Sequence, residues 1–230
     1  HNVRALERFF RLGIRAYLQI DDNSFLVFYE GRGFYWEKGL ETPVQVGKFD
    51  RGRGPLPSGC CIDEGGACYF SEYWGNKKRE KTYVYRWERG SNYWKPFYFF
   101  REGEIRHVHA LQHDPFTQKI WVTTGDRDKE CFIGYFEEGP GGVSLEVVAH
   151  GSQDARAVSL LFTTDYVYWG SDAGKDIDAG ENAIFRLSRV SGEVERIHEV
   201  GGPVYYSTMD GKGRLYFSTG VEGSASERDR

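Results

Sequence analysis

The stretch IRHVHALQHDPFTQKIWVTTGDRDKECFIGYF, residues 105–136, decides the fold. It predicts three consecutive strands, over residues 107–113, 119–124 and 131–136. A turn of sequence Asp-Pro-Phe-Thr separates the first two strands, and an acidic loop at 125–130 separates the last two. Strand-forming residues with turn signals at this interval are typical of an antiparallel meander.

Two motifs from this stretch recur along the chain. The first is an aromatic-rich run that ends in charge and glycine: GFYWEKG (33–39), YVYRWERG (83–90), FIGYFEEG (132–139) and IFRLSRVSG (184–192). The second comprises ACYFSE (67–72), IWVTTG (120–125), VYWGSD (167–172) and LYFSTG (215–220). Aligned on Trp36, Trp87, Phe136 and Leu187, the first recurs at intervals of 51, 49 and 51 residues. Aligned on Phe70, Val122, Trp169 and Phe217, the second recurs at 52, 47 and 48. Two motifs with one period of about 50 residues indicate a structural repeat.

The repeat predicts an all-β fold. A further short strand follows each copy of the first motif, so each unit has four strands, A to D, which is typical of a β-propeller blade. We expect one domain over 1–222, with antiparallel blades at about 15–50, 53–100, 104–149 and 153–200, a partial fifth at 203–222 and a disordered tail at 223–230. The stretch 2–15 is either a strand that closes the last blade or a short amphipathic helix. We expect the chain to be part of a longer propeller, or an unusually small one.

Composition excludes some functions. The net charge of -4 argues against nonspecific nucleic-acid binding, and no apolar run approaches the roughly 18 residues of a membrane span. The cysteines lack the paired spacing of a zinc site: Cys60, Cys61, Cys68 and Cys131. We predict free buried thiols, with a Cys61–Cys68 bridge across a hairpin as the alternative.

Strand order places the D-to-A connections and the B-to-C loops on one face, around the channel mouth. Function usually lies in loops on a rigid scaffold. The residues predicted to bind a ligand there are Arg53, Arg106, His107, Arg156, Asp128 and Trp74. Guanidinium groups bind carboxylate or phosphate through paired hydrogen bonds. Asp126 and Asp172 are the candidates for proton transfer. The alternative is that these are solvated loop charges paired between blades.

A divalent metal is a further hypothesis. His107 and His109 lie two apart on a strand, so both point to the same side and form half of a candidate metal site. The alternative is one histidine bonded to a backbone carbonyl and one packed between blades. The acidic runs at 126–130 and 176–178 are similar to calcium loops but lack the full EF-hand pattern.

Three stretches resemble a known group of proteins: HVHALQHDPFTQKIWVTTGDRD (107–128), AVSLLFTTDYVYWGSD (157–172) and GPVYYSTMDGKGRLYFSTG (202–220). They are similar to bacterial and archaeal propellers grouped with sialidase-like, BNR-type repeat proteins. The resemblance implies a propeller associated with surface polysaccharide. The chain lacks the sialidase S-x-D-x-G-x-T-W box, so no catalytic residue is carried over. Glu104-x-x-His107-x-His109 is also similar to the metal-ligand spacing of oligogalacturonate lyases, with Glu in place of Gln.

These observations lead to three functional hypotheses. The first is a carbohydrate-interacting propeller that binds or processes an acidic glycan at the channel mouth. Exposed aromatic pairs, Tyr73-Trp74 and Tyr205-Tyr206, suit stacking on sugar rings, with packing between blades as the alternative. The second hypothesis is a noncatalytic scaffold that binds a protein partner. The third is a metal-assisted polysaccharide lyase.

Overall fold

A computed structural model describes residues 13–173 and 182–220. Eighteen strands form five sheets in it. The first sheet comprises β1 (Ile14–Asp21), β2 (Ser24–Tyr29), β3 (Arg32–Glu37) and β4 (Val44–Lys48). The second comprises β5 (Cys60–Ile62), β6 (Cys68–Ser71), β7 (Thr82–Trp87) and β8 (Lys95–Phe100). The third comprises β9 (His107–His113), β10 (Ile120–Gly125), β11 (Phe132–Gly139) and β12 (Gly142–His150).

The remaining strands form two further sheets. The fourth sheet comprises β13 (Leu160–Phe162), β14 (Tyr166–Gly170), β15 (Ala183–Ser188) and β16 (Val194–Glu199). The fifth has two strands, β17 (Val204–Met209) and β18 (Leu215–Thr219). Two short 3-10 helices, Asp128–Glu130 and Gln153–Ala155, are the only helical turns in the described part of the chain. None of its segments forms a helix long and apolar enough to cross a bilayer.

Each four-stranded sheet is antiparallel, with its strands in chain order. The prediction of an all-β fold built from antiparallel four-stranded units is therefore confirmed. Most of the opening stretch at 2–15, for which a strand or a helix was predicted, lies outside the described residues. So do the predicted tail at 223–230 and the acidic pair Asp176 and Asp178.

Successive sheets meet at their first strands. Strand β1 contacts β5, β5 contacts β9, and β13 contacts β17. Between the third and fourth sheets, the Gln112 amide donates to the Leu160 carbonyl at 2.9 Å and accepts from the Leu160 N–H at 2.6 Å. The sheets therefore adjoin along their inner strands.

Three apolar cores fill the gaps between the first four sheets, and they explain the repeat. Phe70, Val122 and Trp169 are at most 1% exposed, and each packs against the preceding sheet. Their neighbours Tyr69 and Trp121 pack against the following sheet. Because side chains alternate along a strand, the second and third sheets each contribute to two cores. The period of about 50 residues is the period of this packing.

The cysteines are free thiols, as predicted. Strand pairing sets Cys61 opposite Tyr69 and Cys68 opposite Ile62, so the alternative Cys61–Cys68 bridge does not form. Burial raises the pKa of Cys60 and Cys131 to about 12, which disfavours the reactive thiolate.

Candidate functional site

Polar side chains from two sheets converge at one rim of the array. Arg106 directly precedes β9, and Asp126 directly follows β10. Arg156 follows the second 3-10 helix and leads towards β13, while Asp172 lies just beyond β14. The structure thus brings the D-to-A connections and B-to-C loops of the third and fourth sheets together, and we call these residues, with His107 and His109, the rim cluster.

Asp126 lies at the centre of the rim cluster. Arg106 Nη1 donates to its Oδ2 at 2.7 Å. Its other oxygen, Oδ1, lies 3.5 Å from Nε2 of both His107 and His109, and 3.7 Å from Arg156 Nη2. The Asp126 side chain is 21% exposed, so this carboxylate keeps one edge towards solvent.

Arg156 connects the two sheets. Its Nε lies 3.5 Å from Asp172 Oδ2, and its Nη1 donates to the Asp126 carbonyl at 3.3 Å. The Asp172 N–H in turn donates to the Arg156 carbonyl at 2.7 Å. One guanidinium therefore lies between the carboxylates of consecutive sheets.

Glycine at position 125 leaves the space that this arrangement needs. A Cβ there would lie 2.6 Å from His109 Cε1 and 3.0 Å from Arg156 Cγ. The β9–β10 register also shifts here, because Thr123 pairs with Ala110 and Thr124 with Val108. The rings of His107 and His109 lie 5.1 Å apart, on one side of the strand as their spacing predicted.

The electrostatics of the rim cluster favour a neutral His109 and an ionised Asp126. Burial lowers the pKa of His109, against a smaller upward effect of its hydrogen bond with Asp126. Burial alone would raise the pKa of Asp126, but the hydrogen bonds from His107 and His109 outweigh it and hold that pKa well below its ordinary value. Two guanidinium groups beside two carboxylates balance the remaining charge.

The residues fit a metal ion poorly. His107, His109 and Asp126 offer ligand atoms that lie within 4.8 Å of one another. However, Asp126 already pairs with two guanidinium groups, which repel a cation. Histidines that bind metals usually donate their second N–H to a carboxylate or carbonyl, yet Nδ1 of both histidines is buried without a hydrogen-bond partner. Glu104, whose spacing from the histidines is similar to that of a lyase metal ligand, instead accepts from the Arg101 N–H.

The other predicted ligand-binding residues are Asp128, Trp74 and Arg53, and each contacts a residue outside the cluster. Asp128 lies two positions after Asp126, and its Oδ1 accepts from Gln153 Nε2 at 2.8 Å. Trp74 is half-buried, with the Arg51 guanidinium 5.6 Å from its ring centre. Arg53 is exposed, and its carbonyl accepts from Gly31 in the first sheet. The contacts to Asp126 come from Arg106, His107, His109 and Arg156.

Two contributors were missed in the sequence. Gln153 is 7% exposed and donates to the Asp126 carbonyl at 3.2 Å, so it fixes the loop that carries Asp126. Its only sequence signal is its place three residues before Arg156 in a D-to-A connection. The Tyr73 ring, considered only for sugar stacking, lies 4.5 Å from the His107 ring and links the second sheet to the cluster.

The fold is similar to several solved structures. The extracellular domain of a protein described as the one-component system BT4673, from B. thetaiotaomicron, matches with a TM-score of 0.62 at 13% identity, over 90% of this chain and 25% of that one. TolB from Acinetobacter baumannii matches with a TM-score of 0.56 at 11% identity, over 91% and 52%. YCF48 from Cyanidioschyzon merolae matches with a TM-score of 0.55 at 15% identity, over 85% and 63%.

These likenesses concern the fold alone. The similar structures are of the β-propeller type, which supports the predicted architecture. The chain spans a quarter of the first of these proteins and about half to two thirds of the others. No protein-family model matches the chain, and no curated protein matches its sequence. The sialidase-like resemblance, the number of blades in a closed ring and the extent of the domain stay predictions.

Proposed function

We propose that this protein is a ligand-binding propeller and that its rim cluster binds an acidic glycan. The observation that supports the proposal is the convergence of Arg106, Arg156, Asp126 and Asp172 from two sheets. Gathering ionisable groups in a half-buried place costs desolvation energy, and such groups concentrate at functional sites.

The exposure of each group suggests its role. Arg106 has the most exposed side chain of the four, at 32%, and its hydrogen bond to Asp126 uses only one of the five N–H donors of a guanidinium. A uronate carboxylate would bind the free edge of Arg106 through charge-assisted hydrogen bonds. A sugar hydroxyl group would donate to Asp126, the more exposed of the two carboxylates that flank Arg156.

The electrostatics favour binding over catalysis. A general acid that cleaves a glycosidic bond needs a raised pKa, whereas the pKa of Asp126 lies well below its ordinary value. The side chains of His107 and His109 are 6% and 5% exposed, so neither reaches a ligand directly. We therefore assign Asp126 the role of an ionised acceptor and the two histidines that of positioning it.

The similar proteins are consistent with ligand recognition. One of them is described as the extracellular domain of a one-component system, a part that faces the surroundings of a cell. We infer recognition of an external ligand for the present chain from the rim cluster, and the likeness adds only that this fold suits such a role.

Calorimetric titration tests the proposal. Oligogalacturonates of defined length are the acidic probes, and the corresponding neutral galactose oligomers are the reference. Arg106→Gln should lower the affinity for the acidic probes by about tenfold to hundredfold, the equivalent of about 1.5–3 kcal/mol for a charged hydrogen bond. Binding of the neutral oligomers, weaker from the start, should change little.

The matched control is Arg214→Gln. Arg214 also pairs with an aspartate, Asp210, but in the turn of the fifth sheet. This variant should bind as the wild type does, and circular dichroism should show the same fold for both. The proposal would be overturned if the wild type bound none of a panel of acidic oligosaccharides, or if Arg106→Gln bound them unchanged.

A further inference from the structure

Among the described residues, one face of the first sheet carries apolar side chains that no neighbouring sheet covers. The strand register shows which residues of the first and third sheets are equivalent. Val27 pairs with Phe34, which lies two residues before Trp36. In the same way, Val122 pairs with Gly134, which lies two residues before Phe136. Val27 and Trp36 therefore hold the positions that, in the next three sheets, pack against the preceding sheet. The residues there are at most 5% exposed: Phe70, Val122, Trp169, Trp87, Phe136 and Leu187.

The equivalent residues of the first sheet lack such cover. Val27 and Trp36 are only half-buried, and Tyr17, which pairs with Val27, is 62% exposed. None of the three apolar cores in residues 13–173 and 182–220 includes this face. An exposed apolar sheet face of this kind marks an interaction surface.

The fifth sheet carries the complementary half at the other end of the array. Tyr216 precedes Phe217 as Tyr69 precedes Phe70 and Trp121 precedes Val122. Tyr69 and Trp121 pack against the following sheet, whereas Tyr216 is 47% exposed. Tyr206 on β17, which pairs with Ser218 two residues beyond Tyr216, is 75% exposed. In the described residues this sheet has two strands where the others have four.

Charges at the two ends follow the same register. Arg89, two residues after Trp87, pairs with Asp21 in the turn of the preceding sheet. Arg189, two residues after Leu187, pairs in the same way with Asp114 at 2.7 Å. In the first sheet the corresponding residue is Lys38, and in the turn of the fifth sheet the corresponding residue is Asp210.

We propose that copies of this chain associate head to tail, with the first sheet of one copy packed on the fifth sheet of the next. The face that carries Val27 and Trp36 covers Tyr206 and Tyr216 of the next copy, and Lys38 pairs with its Asp210. The two contact surfaces differ, so the interface is heterologous. This association does not depend on the proposed function of the rim cluster.

Analytical ultracentrifugation over a range of protein concentrations tests the association. The wild type should form dimers and larger species as concentration rises. Trp36→Glu and Tyr216→Glu should each be monomeric, because a charge replaces an aromatic on one of the two faces. Val190→Glu is the control, since Val190 is 94% exposed in a turn of the fourth sheet; it should assemble as the wild type does.

Mixing the two monomeric variants gives the decisive result. Each keeps the face that the other has lost, so an equimolar mixture should form a heterodimer and nothing larger. The proposal is overturned if the wild type stays monomeric at every concentration, as it would if the two ends closed on each other within one chain. It is equally overturned if either variant alone assembles, or if the mixture stays monomeric.

Discussion

At the scale of single residues, the site depends on space as much as on charge. Gly125 is the clearest case, because a methyl group there would overlap His109 and Arg156. Gly125→Ala should lower the free energy of unfolding by about 1–3 kcal/mol, the usual cost of overpacking. The same change should reduce binding of the acidic probes, because it moves Arg156. Urea denaturation and calorimetric titration measure the two effects.

Gly141→Ala is the control for this substitution. A Cβ at position 141 meets nothing within 4 Å. Stability and binding should therefore stay close to those of the wild type. Equal losses in Gly125→Ala and Gly141→Ala would show that the overlap with His109 and Arg156 has no part in the effect.

A buried carboxyl predicts a pH dependence of stability. Glu72 is 2% exposed, and its carboxyl group accepts from the Tyr83 N–H at 3.3 Å. At the equivalent position of the third and fourth sheets, the hydroxyl groups of Thr124 and Ser171 accept the corresponding backbone N–H. Burial raises the pKa of Glu72 from 4.5 to about 7. The folded chain therefore keeps this proton over a range in which the unfolded chain has lost it, and stability falls as pH rises through that range.

Glu72→Gln should remove this dependence. The shift in pKa corresponds to about 3 kcal/mol, lost between about pH 4.5 and about pH 7. Urea denaturation at a series of pH values should show the variant gaining stability relative to the wild type across that interval. A constant difference between the two proteins over the interval would contradict the account.

The sequence predicted part of the residue-scale picture. Strand order assigned Arg106, Asp126, Arg156 and Asp172 to one face, and a spacing of two set His107 and His109 on one side. Gln153 and the role of Gly125 could not be predicted in this way, because both depend on how far side chains reach between two sheets. The metal hypothesis stays a prediction. The guanidinium groups beside Asp126 disfavour it, and their positions could not be predicted because they come from separate connections.

At the scale of elements, buried ion pairs join neighbouring sheets. Asp114, in the turn after β9, has a fully buried side chain, and Arg189, after β15, donates to it at 2.7 Å. Arg189→Met should cost about 3–5 kcal/mol of stability, because it leaves a buried carboxylate unpaired. Removing both charges, with Asp114→Asn added, should recover part of the loss.

Arg186→Met is the comparison for that experiment. Arg186 pairs with Glu195 on the outer strands of the fourth sheet, where 34% and 58% of the two side chains are exposed. Its loss should cost about 1 kcal/mol or less, as is usual for surface pairs. Urea denaturation of both variants gives the values, and an equal loss in the two would show that burial of Asp114 does not matter.

Strand positions were predictable because each strand has an apolar face and ends at a turn. The predicted strands at 119–124 and 131–136 became Ile120–Gly125 and Phe132–Gly139. The second extends further than predicted because β11 and β12 pair through to Gly139 and Gly142. Pairing length depends on the partner strand, which local sequence does not specify.

At the scale of the whole molecule, the repeat determines where a site can form. Each sheet buries two faces only through its neighbours, so consecutive sheets hold their loops side by side at one rim. The rim cluster lies at the junction of the third and fourth sheets, and Tyr73 links it to the second. The period was visible in the sequence, whereas the choice of this junction depends on contacts between sheets.

The most direct test of the central claim is nuclear magnetic resonance of the histidine side chains during titration with an oligogalacturonate. His107 and His109 lie against Asp126, whereas His150 and His198 are exposed on the outer strands β12 and β16. Binding at the rim cluster should shift the ring resonances of His107 and His109 and leave those of His150 and His198 in place. Unmoved resonances of His107 and His109 at saturation, or equal shifts of all four histidines, would contradict the account.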